Sequence, residues 1–326
     1  MSISLLPRPP RRTRGRSAVA LGTVVIAAGT MSLAVPVSAA TPVGGDAAGS
    51  GGVRALVIGG ATVPLTPVKI TKPAANRYLR PRGGPVAVVA HRGASSAAPE
   101  NTLVAQEVAR RAGADLIETD VQPSKDGVPF VMHDRTVDRT TNGAGPVRAL
   151  TSAQLRKLDA GSWFAPHYRG AKVPTLAGQL ADLRTRGGRL LLEIKGPHTR
   201  AEVARIVKVI RAQRMTGRVF VQSFEVSVLR YARELAPELP LGLLRSSLDA
   251  DPVGVTKNLR LTAYNPSHGA LLARPRIVAD LHKAGVAVMP WTADSPSLWK
   301  RLDTLGVDAI ITNRPAELTG WNDARP

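Results

Sequence analysis

The sequence predicts an α/β fold, a (β/α)8 TIM barrel with a small insertion after the second strand. Two observations point to it. Eight short apolar runs alternate with helical patterns from Val86 onward, as expected when crossover helices join parallel strands. The residues able to do chemistry fall at the C-terminal ends of those runs, which is the rim where barrel enzymes build their sites. A doubly wound open sheet is the rival, but no glycine-rich phosphate turn follows any run.

Val86–Ala90 is continuously apolar, like a strand buried on both faces. "NTLVAQEVARRAG" places Val104, Val108 and Ala112 on one helical face and closes on Gly113. Leu116–Val121 is the second strand, and a "KDG" turn leads to its appendage, Pro129–His133. Loop-rich residues 135–176 form the insertion. "RLLLEIK" is the third strand and "AEVARIVKVIRAQ" the helix after it. "VFVQSF", "LGLL", "LTAY", "VAVMPWT" and "AIITN" complete the eight, with helical patterns such as "PRIVADLHKAG" and "SLWKRLDTLG" between most of them.

Residues 1–40 read as a signal peptide. Arg8, Arg11, Arg12, Arg14 and Arg16 form a basic head, followed by an apolar stretch from Ala18 to about Val35. The stretch ends in "VPVSAA", which suits cleavage after Ala39 or Ala40. Gly22, Thr23, Gly29, Thr30, Ser32 and Pro36 dilute it below a good spanning helix. The expectation is a secreted or extracytoplasmic protein. The Arg11–Arg12 pair fits a twin-arginine route as well as the Sec route. Residues 41–84 form a flexible Gly/Ala/Pro-rich extension in which "VRALVIGGATVPLTPVKI" has room for a short strand or two, and the barrel takes residues 85–326.

Zero cysteines exclude disulfides, thiolate metal ligands, a cysteine nucleophile and a lipid on cysteine. Core burial alone must hold the fold, and a chain of this length can supply it. Of the net charge of +20, five units belong to the signal arginines, which leaves +15. Aromatics are only 4% and no Lys/Arg run is interleaved with them, so nucleic acid is not expected. A small anionic substrate, or an anionic cell-wall or membrane surface, is the more natural partner. Nothing implies a stable protein partner.

In "LIETDVQPSKDGVPFVMHD", Glu118 and Asp120 stand at alternate positions, so they share a strand face opposite Ile117, Thr119 and Val121. Adjacent carboxylates repel unless a positive charge sits between them. His91 and Arg92 follow the first run, His133 ends the appendage, and Glu193 and Lys195 close "LLLEIK". Glu118, Asp120 and Glu193 offer hard oxygen ligands suited to Ca²⁺ or Mg²⁺. Zinc lacks a His-x₃-His or cysteine pair. Arg92 and Lys195 can grip phosphate oxygens, and His91 and His133 can act as acid and base near neutral pH. That set suits a phosphodiester, whereas a sugar-cleaving site wants two carboxylates free of metal.

"HRGAS", "PENT", "ETDVQPSKDGVPFVMHD", "RTTNGAG", "LEIK", "QSF", "PWT" and "TNRP", in order from about Val86 to Leu318, resemble the glycerophosphodiester phosphodiesterase family. The resemblance implies a TIM barrel whose insertion carries "LDAGSWF". It also implies His91 and His133 as the acid–base pair, Glu118, Asp120 and Glu193 as ligands of one divalent cation, and Arg92 and Lys195 on the phosphate. The implied reaction cleaves a glycerophosphodiester to an alcohol and sn-glycerol 3-phosphate. Asp294 stands where an Asn is frequent. Trp291, ending "VAVMPWT", is expected to wall the glycerol carbons, with Trp163 and Phe164 over the leaving alcohol. Among the other histidines, His282 suits a structural place on an amphipathic helix and His268 a place near the rim, while His167 and His198 match nothing catalytic. Two alternatives stand beside this. A related phospholipase D or sphingomyelinase D-like barrel lipase would need a membrane-facing apolar loop, hinted at only by "GSWF". A non-enzymatic binder of anionic wall polymers would have no use for seven polar residues at one rim.

Overall fold

Residues 55–58, 61–64 and 76–325 are described by a computed structural model, in two units. In the first, Ala55–Ile58 pairs antiparallel with Ala61–Pro64, so the extension does contain two short strands. The expected signal peptide lies outside the described residues. Among the described residues no helix is long and apolar enough to cross a membrane.

The second unit follows the βα repeat. In chain order come β1 (Ala87–Ala90), α1 (Leu103–Arg111), β2 (Leu116–Pro123), β3 (Pro129–Val131), α2 (Ser152–Leu155) and α3 (Leu176–Arg186). Then β4 (Leu190–Ile194), α4 (Arg200–Ala212), β5 (Val219–Ser223), α5 (Val226–Leu235), β6 (Leu241–Arg245) and α6 (Pro252–Asn258) follow. The chain ends with β7 (Ala263–Pro266), α7 (His268–Ala273), α8 (Ile277–Lys283), β8 (Ala287–Val288), α9 (Pro296–Thr304), β9 (Ala309–Thr312) and α10 (Pro315–Asp323). Eight parallel strands lie in the order β8-β7-β6-β5-β4-β2-β1-β9, and β3 is added antiparallel to β2. At the remaining seam, the N–H groups of Asp308, Ile311 and Ala293 donate to Val288, Pro290 and Ile311 carbonyls, each at 3.0 Å. The barrel is nearly closed. Pro290 has no N–H to give a ladder, so β8 stops short of the full "VAVMPWT" run.

The two-residue period of the strands divides the side chains. Val88, Ile117, Leu192, Val221, Leu243 and Ile310 face the helices in the main core. Val89, Leu116, Leu191, Phe220, Ala263, Ala287 and Ile311 form a separate cluster inside the barrel. Two residues beyond Leu116, Leu191, Phe220 and Ala263 stand the buried Glu118, Glu193, Gln222 and Asn265. The barrel interior is therefore apolar below and polar toward the C-terminal ends.

Residues 76–84 were expected in the flexible extension, yet they plug the N-terminal mouth. Tyr78 meets Phe220 edge-on at 4.7 Å. The Asn76 amide donates to the Thr262 and Gly285 carbonyls at 2.8 and 2.9 Å, and Arg80 pairs with Asp303 at 2.6 Å. This segment binds through single side chains rather than a periodic face, so it carries no pattern to read.

Helix α4 buries Val203, Ile206, Val207 and Ile210 at helical spacing, and Thr199 with Glu202 forms its capping box. Helix α1 departs from its expected face. It buries Ala105, Gln106 and Ala109 rather than Val104, Val108 and Ala112. The cause is Gly93, held at φ +80°, where a Cβ would come within 2.7 Å of Ala105. Chain and helix approach so closely there that Gly93 has no room for a side chain. The insertion between β3 and α3 has its own core of Phe130, Met132, Val137, Val147, Leu155, Ala160 and Val173.

Candidate active site

The C-terminal rim gathers the polar strand ends. Directly after β1, Arg92 turns into the left-handed region at φ 56°, a conformation that needs its surroundings to hold it. Here it aims the Arg92 N–H at Glu118 Oε2, 2.9 Å away. His133 leaves β3 on a loop clamped by the Gln122 amide, which donates to the carbonyls of Met132, His133 and Asp134 at 3.0, 3.1 and 2.6 Å. His91, Arg92, Glu118, His133, Glu193, Lys195 and Trp291 line one cavity of about 270 Å³. Asp120, only 1% exposed, lies behind it. All eight expected residues are thereby brought to one place.

Carboxylate oxygens of Glu118, Asp120 and Glu193 lie within 4.8 Å of one another. Burial, with the charges of Asp120 and Glu193, pushes Glu118 well above the usual carboxylate range. Burial and Asp120 push Glu193 up to about 8, against the pull of Lys195. Asp120 goes the other way. Burial would raise it, but Lys195, His133 and Arg92 outweigh that and bring it down to about 2. Lys195 Nζ stands 3.4 Å from Asp120 and 3.0 Å from Glu193, and Arg92 Nε stands 3.7 Å from Asp120. The Asn101 amide, itself held at φ 59°, donates to Asp120 Oδ2 at 2.9 Å.

Three oxygen ligands around one point fit a hard divalent cation. Glu193 Oε1 strengthens the fit: it is buried, with Lys195 as a charge partner but no donor in hydrogen-bond geometry. A cation would also offset the burial and mutual repulsion that push the Glu118 and Glu193 carboxyls up.

With the cation removed by chelator, stability should then depend on pH in a definite direction. A carboxyl whose folded pKa rises from 4.5 to about 8 gives stability that is full below about pH 4.5 and lost as pH climbs through 8. His91, pushed from 6.5 down to about 4 by burial and Arg92, works in the opposite sense below pH 6.5. The clean window is therefore pH 6.5 to 8. Thermal unfolding in chelator should fall across it, and Glu193→Gln should flatten the slope. Identical slopes in both proteins would remove the basis for a raised Glu193.

The two histidines have unlike partners. His91 Nδ1 meets the Asn313 side-chain carbonyl at 2.7 Å, and His133 Nδ1 meets the Asp134 carboxylate at 2.7 Å. Behind Asn313 stands Asp294, which accepts from the Thr312 hydroxyl, the Asn313 N–H and the Asn313 amide nitrogen at 2.9, 2.8 and 2.6 Å. Behind Asp134 stands Arg139, bonded to it at 2.6 Å and to Glu100 at 2.8 Å, while Glu100 accepts from Arg92 at 2.9 Å. A chain of charges thus ties His133 to Arg92 around the mouth.

Sequence reading missed Asn101, Gln122, Gln222, Asn265 and Asn313. The Asn265 amide donates to Gln222 at 2.8 Å, and Gln222 to Glu118 at 3.4 Å. Gln222 was within reach, because it repeats two residues above Phe220 the step that sets Glu118 above Leu116. Trp291 lines the cavity with its indole N–H fixed to the Asn265 carbonyl at 2.8 Å. Trp163 and Phe164 do not line it, which corrects their expected place over the leaving alcohol. They meet each other edge-on, Phe164 also meets Tyr168 edge-on, the Tyr168 hydroxyl is anchored to the Ala97 carbonyl, and the Trp163 indole bonds back to the Ala160 carbonyl. His268 does not line it either; its N–H holds the Trp291 carbonyl at 2.8 Å. His282 faces Asp308 at 2.8 Å, a structural place as expected.

A model of the glycerophosphoryl diester phosphodiesterase family matches residues 91–317. The glycerophosphodiester phosphodiesterase of Caldanaerobacter subterraneus subsp. tengcongensis is 36% identical over 234 residues, covering 71% of this chain and 95% of that protein. One from Bacillus subtilis is 33% identical over 249 residues, covering 71% and 84%. Among solved structures, a glycerophosphodiester phosphodiesterase from Agrobacterium tumefaciens superposes with a TM-score of 0.65 at 34% identity, covering 72% of this chain and 99% of that one. A phosphodiesterase from Oleispira antarctica, solved with the product sn-glycerol-3-phosphate, gives 0.70 at 30% identity, covering 73% and 97%.

Proposed function

The chain belongs to the glycerophosphoryl diester phosphodiesterase family, and from that premise we propose an exported, divalent-cation-dependent enzyme that uses His91 and His133 as its proton-transfer pair. Its substrate would be a small glycerophosphodiester, cleaved to an alcohol and sn-glycerol 3-phosphate. The observation that carries this reading is that both histidines, both cations and two of the three carboxylates line a single cavity, with Asp120 directly behind.

Glu118, Asp120 and Glu193 would hold the cation, Ca²⁺ or Mg²⁺, which when bound supplies Lewis-acid stabilisation of charge on the phosphate oxygens. Arg92 and Lys195 add positive charge on the same wall. Arg92, which lines the cavity, offers guanidinium N–H groups suited to phosphate oxygens. His91, with Nδ1 turned to Asn313, presents Nε2 to the cavity, and its lowered pKa keeps the ring unprotonated at neutral pH, so that it is free to accept a proton. It takes the proton of the nucleophile, which is water or the substrate's own glycerol hydroxyl. His133 sits with Nδ1 against the Asp134 carboxylate, which fixes the orientation of its ring. It gives its Nε2 proton to the departing alkoxide. The cavity is small enough to exclude most water around a short diester and polar enough to replace what it removes.

Release of glycerol 3-phosphate from glycerophosphocholine, followed by a coupled assay with and without chelator, tests the proposal. Turnover that persists in excess chelator overturns the cation, and turnover confined to sphingomyelin or lysophospholipid vesicles overturns the substrate. Export is tested by the N-terminus of protein recovered from outside the cell, expected at Ala40 or Thr41. The net +15 after cleavage supports work beside an anionic wall or membrane, checked by salt-sensitive binding to anionic vesicles.

Trp291 should read the common half of every substrate. Its ring is fixed at the indole nitrogen and meets Phe224 edge-on at 5.5 Å. An apolar wall of this kind is worth about 1–3 kcal/mol, or roughly 10-fold or more in kcat/KM. Trp291→Ala should weaken choline, ethanolamine and bulkier diesters by similar factors. Trp163→Ala and Phe164→Ala should leave the ranking unchanged, since neither touches the cavity. A reordered ranking in those two variants would return the insertion to a role in specificity.

A further inference from the structure

We infer that Asp294 is a positioning residue that fixes the tautomer of His91 by dictating how the Asn313 amide is turned. The inference deepens the reading of His91 as base and rests on it for its catalytic consequence, though not for its structural one.

A side-chain amide has a donor end and an acceptor end of nearly the same shape, so its neighbours decide which way it points. A carboxylate offers only acceptors. Asp294 Oδ2 lies 2.6 Å from the Asn313 amide nitrogen, and Asp294 Oδ1 is taken by the Asn313 N–H and the Thr312 hydroxyl. The amide nitrogen must therefore face Asp294, and the amide oxygen must face the other way. That oxygen receives the Ser95 hydroxyl at 2.9 Å and meets His91 Nδ1 at 2.7 Å. An acceptor at that place requires a proton on Nδ1. The neutral ring then has its lone pair on Nε2, toward the cavity. The His91 N–H is bonded to the Thr312 carbonyl at 2.8 Å, so the ring and its partner loop are also tied through the backbone.

Replacing the carboxylate by an amide of the same shape reverses the logic. In Asp294→Asn, the oxygen stays with Thr312 and the Asn313 N–H, which leaves the new NH₂ group facing the Asn313 side chain. Asn313 must then turn its oxygen to that NH₂ group and its nitrogen to His91, while the Ser95 hydroxyl rotates to accept. His91 Nδ1 becomes an acceptor, and the proton moves to Nε2, where the base needs a lone pair. Exchanging both residues, Asp294→Asn with Asn313→Asp, puts a carboxylate against Nδ1 and restores the first tautomer.

Nitrogen-15 spectra of histidine-labelled full-length protein at mildly alkaline pH read the tautomer directly, with His91 assigned by the loss of its signals in His91→Gln. The expected result is a protonated Nδ1 in the native protein, a protonated Nε2 in Asp294→Asn, and a protonated Nδ1 again in the double exchange. Kinetically, kcat should fall by about 10²-fold or more in Asp294→Asn with KM little changed, and recover in the double exchange. A purely structural Asp294 would give neither the reversal nor the recovery. A native His91 protonated on Nε2, or an unchanged tautomer in Asp294→Asn, overturns the inference. Should the single variant fail to fold, the native spectrum and the double exchange still decide it. A reversed tautomer with undiminished kcat would uphold the inference and refute His91 as the base.

Discussion

Glu118→Ala, Asp120→Ala and Glu193→Ala should each reduce turnover of glycerophosphocholine by at least about 10³-fold, the scale of several kcal/mol of lost charge stabilisation. Each removes one of three oxygens that meet within 4.8 Å, the cluster found among the described residues. The three should part company in stability. Glu118 and Glu193 are held in unfavourable surroundings, raised by burial and by their neighbours. Their removal relieves repulsion, so the chelated variants should melt no lower than the chelated native protein at neutral pH. Asp120 is the counter-charge for Lys195 at 3.4 Å and Arg92 at 3.7 Å. Its loss leaves two half-buried cations facing each other with less to balance them, and that variant should melt lower. Calorimetric titration with Ca²⁺ and Mg²⁺ alongside thermal unfolding separates these effects. Native turnover by any of the three in excess chelator would end the proposal of a cation site.

The readable parts of this protein are those in which one side chain obeys a period. The two-residue step puts Glu118 and Asp120 on one strand face, and the alternation of apolar runs with helical patterns puts the eight strand ends on one rim. What escaped was set by contacts between segments distant in sequence. The face of α1 is rotated by about one residue because Gly93 lets the chain press onto Ala105, a fact of approach that no helical pattern contains. Residues 76–84 close the barrel through Asn76, Tyr78 and Arg80 acting singly. In the site, charged groups were legible because a charge at a strand end is unusual. The neutral amides Asn101, Gln222, Asn265 and Asn313 were not, because an amide in a loop or strand has many uses. Yet these amides decide where the carboxylates point and which nitrogen of His91 carries a proton.

Loss of His133 should be rescued by a better leaving group, and loss of His91 should not. With glycerophosphocholine, His91→Ala and His133→Ala should each lower kcat by about 10²-fold or more, the usual scale of general acid–base catalysis. Both rings line one cavity, so both losses fall on the same reaction, but on different bonds. His133 is held by Asp134, and Asp134 is itself kept ionised by Arg139 and the ring. That contact orients the His133 ring so that Nε2 can deliver a proton to the alkoxide as the P–O bond breaks. A choline alkoxide is too basic to leave unprotonated. A nitrophenolate is not, so an aryl ester of glycerol 3-phosphate asks little of a general acid. His133→Ala should therefore approach native kcat on the aryl ester, whereas His91→Ala, lacking the base that prepares the nucleophile, should stay impaired on both substrates. Asp134→Asn should follow His133→Ala in weaker form, because it weakens the contact that orients the ring without removing the ring. Equal rescue of both histidine variants would show that the two do not divide the work as base and acid. Rescue of His91→Ala alone would reverse their roles.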